Sequence, residues 1–156
     1  MLRGFIAGFI LVSICVVVHT VGLVVMADWL VRHPVRVATQ SSVMRSSRLL
    51  ISIFALITLL HLVETFIWAA FYDLWGLFSD FETSVYFSLG SYTSIGYGDV
   101  LLPAKWRLLG GIEGINGVLL CGLSGAFLFT VVIKMFDDRI RRRAARADGD
   151  VESDLR

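Results

Sequence analysis

The sequence predicts an all-α membrane protein: three transmembrane helices, with a short re-entrant helix and a non-helical loop between the second and the third. Three observations predict it. Apolar residues make up 56% of the 156 residues and mean hydropathy is +0.77, a balance suited to a chain that lives in a bilayer. Residues 5–27, 49–71 and 108–136 are each long enough to span. At about 1.5 Å per residue the first two reach roughly 35 Å, against a hydrocarbon core of about 30 Å. Residues 81–93 are also apolar and aromatic, but as a helix they reach only about 20 Å. They run into Thr93-Ser94-Ile95-Gly96-Tyr97-Gly98-Asp99, and such non-helical backbone is tolerated at membrane depth only when buried in protein or lining a water-filled path.

The elements follow in order. Arg3 precedes the first span, whose small residues near Ala27 also fit a cleaved leader. The apolar run is longer than a usual leader core, and the charges agree better with an intact span. It has no regularly spaced arginines, as a voltage sensor would need, and its ionisable groups besides Arg3 are His19 and Asp28. The connection that follows carries Arg32, Arg36, Arg45 and Arg48 without an acidic residue, and the tail carries Arg139, Arg141, Arg142, Arg143 and Arg146. Both belong on the cytoplasmic side. Asp73, Asp80, Glu82 and Asp99 face only Lys105 and Arg107 in the stretch between the second and third spans, which marks the outer side. The N-terminus is therefore expected outside and the C-terminus in the cytoplasm. Residues 137–156 are expected to extend the last helix into solvent and then become disordered, with an affinity for anionic lipid through residues 139–146. Cys15 and Cys121 lie in apolar stretches, where a buried thiol is expected and a disulfide is not.

The spans also carry charge. His61 and Glu64 lie three residues apart on one face of the second, and Glu113 and Asn116 do so on the third. Ionisable groups at mid-membrane cost about 2.5–3.5 kcal/mol on insertion scales and face protein or water. Both carboxyls fall roughly 10 Å below the outer ends of their spans, so a polar cluster of Glu64, Glu113 and His61 behind the re-entrant helix is expected. The alternative is that each carboxyl is neutral or paired locally, as Glu113 with Arg107. Two carboxylates and one histidine at these spacings match no metal-site signature.

Ile95-Gly96-Tyr97-Gly98-Asp99, behind a pore-helix candidate and between two spans, resembles the Thr-Val-Gly-Tyr-Gly filter of tetrameric potassium channels. The similarity covers residues 49–136, most closely 81–106, and points to the small prokaryotic potassium channel family with one extra N-terminal helix. The chemistry agrees: a cation sheds its water inside a membrane when a ring of backbone carbonyls replaces the hydration shell. Aiming successive carbonyls at one axis requires positive φ, which Gly96 and Gly98 accept at little steric cost. The resemblance implies a potassium-selective homotetramer in the bacterial inner membrane. It implies a filter of Ser94, Ile95, Gly96, Tyr97 and Gly98, with carbonyls from the first four and the Ser94 hydroxyl closing the innermost site, Thr93 at the filter's base and Asp99 at its outer end. It further implies a hinge at Gly117 and a cavity lined by Cys121, Gly122, Gly125 and Phe129. Gly110 and Gly114 make a Gly-x-x-x-Gly pair suited to close helix contact.

Two features depart from the family. Ser94 stands where threonine is usual, keeping the oxygen but losing the β-branching that stiffens χ1. Gly90 stands where some relatives have a carboxylate, and Tyr86 and Phe87 where they have paired tryptophans. Phe87 has no donor for Asp99, so the filter is expected to be braced by something else or to be looser.

The domains expected are residues 1–48 as first helix and basic connection, residues 49–136 as pore domain and residues 137–156 as charged tail. Within the pore domain, 49–71 is the outer helix, 81–93 the pore helix, 94–98 the filter and 108–136 the inner helix. No cofactor is expected besides permeant potassium, and no nucleic-acid partner. A weakly selective cation channel and a non-conducting regulatory subunit are the competing functions. An enzyme is the weakest reading, since no nucleophile and base pair or phosphate loop occurs at useful spacing.

Overall fold

The computed structural model of the protein describes residues 2–32 and 43–154. Arg36 lies outside the described residues, as do the side chains of Arg45, Arg139, Arg142, Arg143 and Arg146. The regular structure among the described residues is entirely helical: α1 Leu2–Arg32, α2 Val43–Leu74, α3 Phe81–Tyr92 and α4 Leu108–Asp154. Three segments, Leu2–Arg32, Ser46–Leu74 and Leu108–Asp137, are long and apolar enough to cross a membrane. With 12 residues, α3 is too short to do so.

The helices overrun the apolar stretches that announced them. α2 starts at Val43 and not Leu49, and α4 continues through the charged tail to Asp154. The expected decay of that tail into disorder is therefore corrected. Residues 137–148 contain no glycine or proline and are rich in arginine and alanine, which favour the helix even without apolar burial.

One stripe attaches α1 to the rest. Its buried residues are Gly4, Gly8, Leu11, Cys15, His19 and Leu23, a three-to-four-residue spacing that marks one helical face. Other faces of α1 present Phe5, Phe9, Val17 and Val24 outward, as lipid contact requires. The glycines permit close approach: a Cβ at Gly8 would lie 2.9 Å from Ile112 of α4. One apolar core gathers Leu11 and Cys15 of α1, Trp68 and Tyr72 of α2, Tyr92 of α3 and Leu109 and Leu120 of α4. A second lies nearer the start of α2 and further along α4, around Ile53, Ile57, Val131 and Met135.

α3 is started by Asp80, whose side chain accepts from the Thr83 backbone N–H at 2.7 Å and from the Ser79 hydroxyl at 2.6 Å. The Ser79 and Thr83 hydrogen bonds hold this carboxyl below the ordinary aspartate range, so the cap stays charged at any physiological pH. At the same end of the bundle Phe71, Trp75 and Trp106 form an aromatic group, with Phe71 and Trp75 stacked at 4.5 Å. Such residues collect at membrane interfaces.

Candidate functional site

The loop leaves α3 through Thr93, whose hydroxyl donates to the Leu89 carbonyl at 2.6 Å and so closes the last helical turn. Beyond it, every second residue is left-handed: Ser94 at φ +59°, Gly96 at +49° and Gly98 at +80°. Added Cβ atoms at Gly96 or Gly98 would meet nothing within 4 Å, so glycine is required there by conformation and not by space. Ser94 adopts the same region with a side chain, at a cost of about 1–2 kcal/mol. Hydrogen bonds back to α3 offset that cost, Ser94 N–H to Ser91 O and Gly96 N–H to Gly90 O, both at 3.0 Å. Ser94, Ile95, Gly96, Tyr97 and Gly98 all lie on the exposed surface of the single chain.

The outer end has a brace that sequence reasoning missed. Tyr86 donates its hydroxyl to Asp99 Oδ2 at 2.7 Å, and its ring stacks on Tyr97 at 6.3 Å and 14°. Asp99 thus has a donor in Tyr86 although Phe87 offers none. The Tyr86 hydrogen bond, opposed by desolvation, holds the Asp99 carboxyl below its usual range. The signal was present in the sequence, because Tyr86 occupies one of the positions where relatives carry tryptophan and its phenol reaches as an indole N–H would.

Two buried carboxylates grip α3 from behind. Ser88 contacts Glu113 Oε1 and donates to the Thr65 carbonyl at 2.9 Å, while Tyr72 donates to Glu113 Oε2 at 2.8 Å. One hydroxyl proton cannot serve two acceptors fully. Both Ser88 contacts are filled when a protonated Glu113 donates to Ser88 and Ser88 donates to Thr65. One turn further on, Tyr92 donates to Glu64 Oε2 and lies 2.9 Å from His61 Nδ1.

Glu64 also meets His19 of α1, Oε1 to Nδ1 at 2.7 Å, and His61 Nδ1 lies 3.4 Å from Oε2. The Nε2 atoms of His19 and His61 both face the Ser124 hydroxyl, at 3.0 and 3.2 Å. Glu64 and His61 therefore come together, whereas Glu113 belongs to a separate hydrogen-bonded set, and the two sets meet through α3. Arg107 directs Nε to the Leu102 carbonyl at 3.4 Å, so its expected alternative role as the partner of Glu113 does not arise. His19, Tyr72, Ser88, Tyr92 and Ser124 were not identified as site residues from sequence. The spacing of Ser84, Ser88 and Tyr92, a buried polar stripe on a short apolar helix, was the available clue.

The small residues of α4 seat it on α3. A Cβ at Gly110 would lie 3.1 Å from Phe87, and one at Gly114 3.1 Å from the Ser91 carbonyl. At Gly117 the approach is closer still: a Cβ would stand 2.0 Å from the Tyr92 carbonyl oxygen. α4 runs unbroken through this position, so Gly117 has a packing reason besides the hinge expected of it. Cys121, Gly122, Gly125 and Phe129 lie exposed along α4, on residues that leave one face of the single chain uncovered.

Comparison with curated proteins and with solved structures returns no match. The family model described as ion channel matches residues 57–136, just over half of the chain and the whole stretch from Glu64 through the loop after α3 to Glu113 and Gly117. The chain is a member of the ion channel family.

Proposed function

We propose that this protein is a potassium channel subunit, four copies of which surround one pore. The observation that carries the reading is the alternation of left-handed residues at Ser94, Gly96 and Gly98 within Thr-Ser-Ile-Gly-Tyr-Gly. Alternating handedness lets consecutive carbonyls face one side, and a ring of such carbonyls replaces the hydration shell of potassium. One chain brings one loop, so a closed ring needs symmetry-related copies. The exposure of the filter and of Cys121, Gly122, Gly125 and Phe129 fits surfaces that neighbouring subunits and a central cavity would cover. Gly117 serves as the bending point of α4 below the filter. The arginine distribution supports an outer N-terminus and a cytoplasmic C-terminus, with residues 139–146 beside anionic headgroups.

A weakly selective cation channel is the second reading, favoured by Ser94 in place of threonine. Purified protein in liposomes decides between them. Potassium flux that is lost in Gly96→Ala, with a reversal potential tracking potassium and not sodium, supports the first reading. Flux that follows both ions equally supports the second, and flux that survives Gly96→Ala refutes both.

A further inference from the structure

The ring of polar groups around Glu64 uses all four helices. Its members are His19 on α1, His61 and Glu64 on α2, Tyr92 on α3 and Ser124 on α4, joined by five contacts. With Glu64 ionised and both imidazoles neutral, the two histidines, Tyr92 and Ser124 bring one proton each. Five contacts then share four protons, and one pair of acceptors is left face to face. With His61 donating to Tyr92 and His19 to Glu64, the shortage falls on Ser124, which has one proton to offer two Nε2 atoms at 3.0 and 3.2 Å. If instead both Nε2 atoms carry protons, both donate to the two lone pairs of Ser124 Oγ. Both Nδ1 lone pairs then converge on the Glu64 carboxylate, and the centre calls for a cation.

The donors there suit a metal. One ligand atom from each of His19, His61 and Glu64 lies within 4.8 Å of the other two. The Tyr92 oxygen shares the centre, 2.9 Å from His61 Nδ1 and in contact with Glu64. Bonds of about 2.0–2.2 Å in a tetrahedral array place ligand atoms about 3.3 Å apart. His61 Nδ1 stands 3.4 Å from Glu64 Oε2 and His19 Nδ1 2.7 Å from Glu64 Oε1, so each imidazole faces its own carboxylate oxygen; for one ion to take all three, the Glu64 side chain must turn and the His19 contact open by about half an ångström. Ser124 on both outer nitrogens is the outer-shell partner that fixes a ligating imidazole. Glu64 is fully buried and its ion pairs among the described residues are to the two histidines, so a divalent charge has a counter-ion ready.

We infer that His19, His61 and Glu64, with Ser124 behind both imidazoles and the fourth position left to a solvent ligand, bind one borderline divalent transition-metal ion of the Zn2+ type. Imidazole and carboxylate donors favour that class over Mg2+ or Ca2+. Bound there, the ion ties α1 to α2, whose Glu64 holds Tyr92 of α3. The inference does not depend on which ion the pore passes.

Untagged full-length protein in detergent, stripped by chelator, is titrated with Zn2+ and with Co2+ at neutral pH. The expected result is one ion per chain, a visible Co2+ absorption of tetrahedral intensity, and a melting temperature raised by Zn2+. His19→Ala and Glu64→Gln abolish the band, Ser124→Ala weakens binding by about 10–100-fold, and Cys121→Ser leaves it unchanged. Should His19→Ala fail to fold, the wild-type Co2+ spectrum decides alone. The absence of a Co2+ band in wild type, or binding undiminished in a folded His19→Ala, overturns the inference. Stability that responds to pH but not to metal overturns it too, in favour of a ring closed by a fifth proton.

Discussion

Replacing Gly117 by alanine puts the seating of α4 on the filter-bearing helix to a quantitative test. The added Cβ would lie 2.0 Å from the Tyr92 carbonyl oxygen and 2.9 Å from its carbon, where real Cβ contacts stay beyond 3.0 Å. The two helices must part by about an ångström, and no rotamer relieves a clash between one backbone and another. Alanine gains about 1 kcal/mol of helix propensity over glycine, whereas overpacking a tight contact costs typically about 1–3 kcal/mol and more when backbone moves. The net expectation is a loss of about 1–2 kcal/mol per chain, with Tyr92 drawn away from Glu64 and His61. Retention of the folded detergent-solubilised particle after a heating series reads stability, and potassium efflux from liposomes reads function. Gly111→Ala is the control, because a Cβ there meets nothing within 4 Å; it should match or exceed wild type. A Gly117→Ala protein that keeps both wild-type stability and wild-type flux would refute the close approach. One that changes flux but melts normally would assign Gly117 to bending alone.

Other substitutions probe the remaining parts. Tyr86→Phe removes the donor from Asp99, and the variant should inactivate faster and select less well in single-channel records. Its pH dependence has a defined sign: the folded-state pKa of Asp99 is depressed by the Tyr86 hydrogen bond, so the brace is present above the ordinary aspartate range and is lost only as pH falls through the lowered value. External acidification should therefore affect Tyr86→Phe at higher pH than wild type; coincident pH profiles would discount the bond. Ser88→Ala leaves the buried Glu113 Oε1 without its Ser88 partner, at a cost of about 1–3 kcal/mol, measured as an earlier thermal transition. If Glu64→Gln and Glu113→Gln both left ion selectivity and thermal stability at wild-type values, the carboxylates would have no part in holding the filter. Cys121 is exposed and Cys15 buried, so a maleimide should modify Cys121 first and block flux if that residue lines the cavity; full modification with undiminished flux would place it elsewhere.

The three spanning helices and the short fourth were legible because hydrophobic length is a direct consequence of bilayer thickness. So was the need for positive φ at Gly96 and Gly98, since backbone conformation and glycine are tied by sterics. Ser94 in the same region was not, because a residue with a Cβ is expected to be right-handed and only its place in the alternation reveals otherwise. The start of the second helix was misjudged, Val43 and not Leu49, and the extension of the last helix runs further than expected, to Asp154, for one reason: apolar runs mark where helices are buried, not where they stop. The site was half legible. Glu64, Glu113 and His61 stood out as charges in apolar runs, yet their partners are ordinary hydroxyls, Tyr72, Ser88, Tyr92 and Ser124, whose role depends on tertiary placement. His19 lay 45 residues from Glu64, and nothing local to the first span signals that its one buried imidazole turns toward the second.

The two grips on α3 have a mechanical consequence. Ser88 and Tyr92 are fastened one helical turn apart, and two fixed points on a rod remove sliding and tilting together. The rod then moves with its mounts. Because those mounts belong to α2 and α4, with α1 joined through His19, any shear between the outer and inner helices reaches Thr93 undamped as a displacement of the loop itself. A displacement of α1 is thus passed through His19 and Glu64 to Tyr92, and so to the end of α3 from which the loop leaves.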